Sequence, residues 1–178
     1  QTASSRFGYS PSRTMGIAQK LYEQGFITYM RTDSVNLSKE ALPQIYNTIE
    51  KQFGKEYLSP RFYATKSKSA QEAHEAIRPT SVSIKTAGSN DEQKKLYQLI
   101  WQRTIASQMT DAKILRTKIS ANVNQASKEI PNFSATGSVV IFPGWLAADS
   151  AARGEDVELP KLSKDEELKL IDINSEGK

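Results

Sequence analysis

The run Gly25-Phe26-Ile27-Thr28-Tyr29-Met30-Arg31-Thr32-Asp33-Ser34 sets a phenol, a guanidinium and a carboxylate at alternate positions. Its β-branched and aromatic residues favour an extended backbone, in which Tyr29, Arg31 and Asp33 share one face while Thr28, Met30 and Thr32 share the other. A phenol with a reference pKa of about 10 is ionised to roughly one part in a thousand at neutral pH. A nucleophilic tyrosine therefore needs help in losing its proton and a cation to steady the charge it develops. Arginine suits that task, because its planar donors also match phosphate oxygens. The same spacing equally suits a buried strand tyrosine, with Arg31 a solvated neighbour and Asp33-Ser34 a helix cap, since the chain holds seven tyrosines.

A second group with chemical potential is Glu72-Ala73-His74-Glu75-Ala76-Ile77-Arg78-Pro79-Thr80. His74 is the single histidine, and carboxylates beside it can hold its proton near neutral pH, making it an acid or a phosphate donor; a structural or solvated histidine also fits. Ala and Glu favour a short helix here that must end before Pro79.

Around these groups the apolar residues Met15, Ala18, Leu21 and Tyr22 predict a helix from Ser12 to Gln24, with Ser12 as cap and Gly25 as stop. Arg13, near the positive end of that helix, can meet a phosphate or remain a solvated surface residue. Leu42, Ile45, Tyr46, Ile49 and Phe53 predict a second helix after Ser38, with Gly54 as stop. Pro43 requires it to begin near that residue or to carry a distorted first turn. Residues 55–71 read as a loop in which Lys66 and Lys68 could track a nucleic-acid backbone. The longest helical pattern runs from about Ser89 to Met109, with Leu96, Ile100, Trp101, Ile105 and Met109 as its core stripe.

Beyond Asp111 the period becomes two: Leu115, Thr117, Ile119, Ala121 and Val123 alternate with polar residues, as do Phe133, Ala135, Gly137, Val139 and Ile141. A turn at Phe142-Pro143-Gly144-Trp145, a charged loop from Ala147 to Lys164 and a last strand from Glu167 to Ile173 complete the pattern. The fold class expected is α+β: a mainly helical domain over 1–110, winged-helix-like around the tyrosine, then an antiparallel β region over 111–178.

With 178 residues, 38% hydrophobic and 25% charged, the chain is long and apolar enough for a globular core, and the absence of cysteine excludes disulfides and thiolate metal sites. No apolar run of membrane-spanning length and no hydrophobic leader occur, so a cytoplasmic protein without membrane attachment is expected. Gln1 is not an initiator methionine, which suggests a piece of something larger. Residues 1–110 hold 15 Lys and Arg against 9 Asp and Glu, whereas residues 111–178 hold 9 against 11. The basic half thus carries the tyrosine motif and suits a polyanionic partner.

The segment LYEQGFITYMRTDS, Leu21 to Ser34, resembles the active-site segment of the bacterial type IA DNA topoisomerases, and EAHEAIRPT, Glu72 to Thr80, resembles their second signature. QTASSRFGYS and KLYQLIWQRTIASQMT resemble further segments of that family in the same order, so the likeness spans most of the first 110 residues. It implies that Tyr29 attacks a single-stranded DNA phosphodiester, leaving a 5′-phosphotyrosyl link and a free 3′-hydroxyl. Relaxation of negatively supercoiled DNA would follow without ATP, in agreement with the lack of a GxxxxGK[ST] loop. Carried over by motif, Arg31 is the electrostatic partner and His74 an auxiliary or phosphate-contacting group, with Arg31 expected to matter more. Arg13, Asp33, Glu72 and Arg78 are supporting or DNA-binding candidates.

The resemblance further implies Mg²⁺ bound by an acidic cluster in a separate domain, no metal site in this chain, and a β region forming part of a gate arch. Single-stranded DNA and other domains of the same polypeptide are the implied partners, in a bacterial, nucleoid-associated setting. The fragment alone should be incomplete as an enzyme. A non-catalytic DNA-binding helical module accounts for the charge and the helices equally well, but leaves the two signatures around Tyr29 and His74 unexplained; a purely structural interaction domain would show no salt-dependent DNA binding.

Overall fold

The computed structural model describes residues 1–63, 75–123 and 132–174. It divides into two compact units: Gln1–Ala112 with Pro143–Arg153, and Lys113–Phe142 with Gly154–Lys178. Residues 72–74 of the short helix expected before Pro79, among them the candidates Glu72 and His74, and the loop residues Lys66 and Lys68 lie outside the described residues.

Among its described residues the first unit contains four α-helices: α1 (Thr2–Phe7), α2 (Pro11–Glu23), α3 (Leu42–Gln52) and α4 (Asp91–Ala106). Helix α2 begins two residues earlier than a Ser12 cap requires, because the Ser10 hydroxyl accepts the Arg13 N–H at 3.2 Å and Pro11 occupies the first turn, where no intrahelical donor is needed. Its buried face is Ile17, Ala18 and Leu21, whereas Met15 and Tyr22, expected in the core, are each 40% exposed. Helix α3 opens at Leu42 with Pro43 in its first turn, as the proline demands. Helix α4 is capped by Asn90, whose carbonyl accepts the Gln93 N–H at 3.0 Å. Leu96, Tyr97, Leu99, Trp101 and Ile105 are all buried, more than one stripe can carry, which makes α4 the central helix, with α2 packed against it.

Residues 75–78 are not helical. Their backbone groups are taken by the tyrosine segment instead: Thr28 N–H donates to the Arg78 carbonyl at 2.9 Å, Thr80 N–H to Phe26 at 3.0 Å, and Ala76 N–H to Asn36 at 2.7 Å. A tertiary pairing of this kind outweighs the small helix propensity of Ala and Glu.

The second unit is an antiparallel hairpin of β1 (Lys113–Ala121) and β2 (Phe133–Phe142). The register sets Leu115 opposite Val139, Ile119 opposite Ala135 and Ala121 opposite Phe133, so the two alternating sets fall on one face. Ser138 also pairs with Val157 through both backbone bonds, at 2.9 and 3.0 Å. Residues 167–173 form no strand: among the described residues nothing pairs with them, and Leu168, Leu170, Ile171 and Ile173 are exposed. Alternation alone does not make a strand without a ladder partner.

Residues 143–153 depart from the expected turn and open loop. They form single 3-10 turns at Gly144–Ala147 and Ser150–Ala152, held by a Trp145 N–H bond to the Thr110 carbonyl at 2.9 Å. Gly144 has φ of 51°, and a Cβ there would lie 2.5 Å from the Asp111 backbone. Asp149, with 0% exposure, receives both Arg6 guanidinium nitrogens at 2.6 and 2.8 Å, tying this segment to α1 and raising the Arg6 pKa through that hydrogen bond.

Candidate active site

Gly25 leaves α2 with φ of 76°, a conformation that costs glycine little, and turns the chain into the tyrosine segment. Ile27 is buried and bridges Pro79. From Tyr29 to Val35 the expected alternation appears as exposure: Tyr29, Arg31, Asp33 and Val35 are exposed, Met30 is only 4% exposed, and Thr32 and Ser34 are half-buried. The phenol and the guanidinium therefore flank a methionine that plugs the loop into the core. Among the described residues no strand ladder enforces this alternation. Local side-chain bonds do so, with Ser34 N–H on the Thr32 hydroxyl at 3.1 Å and Asn36 N–H on the Ser34 hydroxyl at 3.3 Å.

The Tyr29 ring is 42% exposed and meets the edge of Tyr22, centroids 5.3 Å apart and planes at 67°. That contact supports the ring from one side and leaves it open to solvent on the other. Arg31 borders a cleft of about 330 Å³ with Met30 and with Ser12, Met15, Gly16 and Gln19 of α2. Those four α2 positions recur at helical spacing, so one edge of the helix faces Arg31. Among the described residues no ion pair engages Arg31 or Asp33.

Arg13 lies off that edge. Its guanidinium pairs with Glu92 of α4 and lies 5.0 Å from the centre of the Tyr9 ring, so it is committed away from Tyr29. Arg78 is committed as well: Nε and Nη2 donate to the two Glu75 oxygens at 2.7 and 2.9 Å, and Nη1 donates to the Pro79 carbonyl at 2.9 Å. Burial pushes the Glu75 carboxyl up, but the Arg78 fork and the Ser38 N–H, 3.1 Å from Oε2, more than offset this and hold it below the ordinary glutamate value.

Both signatures are thus brought together through backbone, with Thr28, Asn36 and Glu75 as the joining residues. The Asn36 side chain adds two bonds of 2.8 Å to the Tyr63 backbone. Thr28 and Asn36 did not stand out as chemical groups, and Glu75 did so only as a carboxylate beside His74. The Thr32, Ser34, Asn36 spacing is the signal that marks a side-chain-supported loop, and Glu75-x-x-Arg78 is the spacing of an ion pair. A second cavity, of about 470 Å³, is bordered by Val35, Leu37, Ile77, Arg103, Trp145 and Arg61, the last held 2.9 Å from Asp111. Among the described residues no three carboxylate or imidazole groups gather as metal ligands, and no helix is long and apolar enough to cross a membrane.

Residues 1–178 match a family model described as DNA topoisomerase. The chain is 42% identical to DNA topoisomerase 1 of Synechocystis over 99% of its length, and 41% identical to DNA topoisomerase 1 of Mycobacterium tuberculosis over the same share. It covers 21% of each of those relatives, about a fifth of their length. Full-length topoisomerase I of Thermotoga maritima superimposes with a TM-score of 0.71 at 36% identity, over 92% of this chain and 27% of that one.

Proposed function

Since this chain belongs to the DNA topoisomerase family, its type IA branch, we propose that it supplies the strand-cleaving tyrosine of such an enzyme, with single-stranded DNA as substrate. Tyr29 Oη attacks a backbone phosphorus, the bond to the 3′-oxygen breaks, and a 5′-phosphotyrosyl link remains. The phenol's proton leaves to solvent or a neighbouring base, and the departing 3′-oxygen takes one up. One phosphodiester replaces another, so the reverse attack by the 3′-hydroxyl reseals the strand without a nucleotide.

The observation that carries this reading is the exposed Tyr29–Arg31 pair flanking buried Met30 on a loop anchored to the second signature. Arg31 stabilises the charge gathering on the phosphate oxygens in the transition state. His74, next to the anchored Glu75, serves as the auxiliary proton or phosphate group, with Glu72 and Asp33 in support. Arg78 acts by holding Glu75, to which its Nε and Nη2 donate, and Arg13 would meet a phosphate beside its pairing with Glu92. Among the described residues no three carboxylate or imidazole groups gather as metal ligands; Mg²⁺ for the complete enzyme, DNA strand passage and relaxation of negative supercoils involve the other segments of the polypeptide. A role at the bacterial nucleoid follows from that substrate.

The test is single-turnover cleavage of a labelled single-stranded oligonucleotide by the full-length protein. Tyr29→Phe should abolish cleavage with binding retained, and Arg31→Ala should slow it on the order of a hundredfold. Cleavage surviving in Tyr29→Phe would move the chemistry to another residue.

A further inference from the structure

The seven residues from Tyr29 to Val35 form an excursion whose two ends are fastened to one residue. At the start, the Thr28 hydroxyl donates to the Ala76 carbonyl at 3.1 Å and accepts the Arg78 N–H at 3.0 Å, while Thr28 N–H donates to the Arg78 carbonyl at 2.9 Å. At the far end, Ala76 N–H donates to the Asn36 carbonyl at 2.7 Å. Ala76 therefore holds the loop's entry by its carbonyl and its exit by its amide. The stretch that carries it is stiffened in turn by the Arg78 fork on Glu75, whose Oε2 also accepts Ser38 N–H.

Fixing seven residues costs on the order of 10 kcal/mol of backbone entropy, and Met30 is the only deeply buried side chain among them. The end anchors must supply much of the remaining order. Thr28 is the anchor adjacent to Tyr29, and its hydroxyl makes two of the three bonds there. The peptide plane that leads into Tyr29 begins at the residue this hydroxyl fixes.

We propose that Thr28 is a positioning residue for the reacting tyrosine: its hydroxyl, locked between Ala76 and Arg78, sets the direction in which the Tyr29 phenol meets the phosphodiester. The inference rests on Tyr29 being the nucleophile. In-line attack tolerates little error, and a misplacement of about 1 Å can cost roughly a hundredfold in rate. Thr28→Val keeps the branched shape and deletes both hydroxyl bonds; Thr28→Ser keeps the hydroxyl and loses only a methyl group.

The experiment uses the full-length protein and a labelled single-stranded oligonucleotide, measuring affinity, the cleavage rate constant and the fraction of enzyme that reacts. Thr28→Val should bind within about twofold of wild type and cleave about a hundredfold more slowly with an undiminished reacting fraction, and Thr28→Ser should recover at least about tenfold of that loss. A residue needed only for folding would lower the reacting fraction and leave the rate constant unchanged, and that result overturns the proposal. So does a Thr28→Ser as slow as Thr28→Val. Should Thr28→Val not fold, Thr28→Cys carries the same test, its weakly bonding thiol giving a loss of about tenfold in rate constant if the proposal holds and none if it fails. Tyr29→Phe runs alongside. If it cleaves, the nucleophile assignment falls and this inference with it; if it is inert while Thr28→Val cleaves at the wild-type rate, this inference alone is overturned.

Discussion

Replacing Arg78 with methionine isolates the ion pair that stiffens the second signature, because the substitution keeps most of the aliphatic stem and removes three hydrogen bonds of 2.7, 2.9 and 2.9 Å. The side chains of Arg78 and Glu75 are 16% and 26% exposed. A bond to a charged group contributes about 1.5–3 kcal/mol, and removing one partner of a fully buried pair costs about 3–5 kcal/mol. Water reaches part of the carboxylate left behind and rehydrates it, so the expected loss is about 2 kcal/mol, roughly thirtyfold in the folding equilibrium. The loss should also depend on pH. Glu75 has its carboxyl held below the ordinary 4.5. Its contribution is therefore complete above that value and disappears as pH falls through the lower folded value. Without Arg78 the largest stabiliser of the ionised form is gone, so the gap between wild type and Arg78→Met should be widest near neutrality and narrow in acid. Urea unfolding followed by tryptophan fluorescence measures it, since Trp101 and Trp145 both lie in the unit that holds the pair. A gap below about 0.5 kcal/mol at neutral pH, or one that persists unchanged to about pH 3, would refute the reasoning.

Arg6→Ala should destabilise the first unit by about 3–5 kcal/mol in the same assay, because it strands the fully buried Asp149 carboxylate. Arg6→Lys should recover only part of this, since a point charge cannot replace the fork. Gly144→Ala should cost about 1–3 kcal/mol and speed amide hydrogen exchange across residues 143–153, given the φ of 51° and the 2.5 Å approach to Asp111; unchanged exchange there would remove the steric argument.

Local order was largely determined by the sequence alone. Pro43 in the first turn of α3, Gly25 and Gly54 at positive φ after helices, and the paired alternation of β1 and β2 all follow from the backbone preferences of single residues and from short periods. So does the outward placement of Tyr29 and Arg31 around a buried Met30, because an alternating segment against a core can bury only one of its faces. The two signatures and their order were likewise legible, being properties of residue identity. Tertiary structure decided what those residues touch. Residues 75–78 are not helical because Thr28 and Asn36 claim their backbone groups, and nothing in the local composition announces a partner about forty to fifty residues away. Arg13 and Arg78 were alike candidates for supporting or DNA-binding roles; only the packed chain pairs the first with Glu92 and the second with Glu75. Residues 143–153 became part of the first unit through Arg6, which lies 143 positions from Asp149. Residues 167–173 carry a strand's pattern and form none, since a ladder depends on which edge is available and not on the segment itself. Hydrogen-bond partners at long sequence separation are chosen by the packed chain as a whole, and that choice turned a tyrosine with a nearby arginine into an anchored, outward-facing loop.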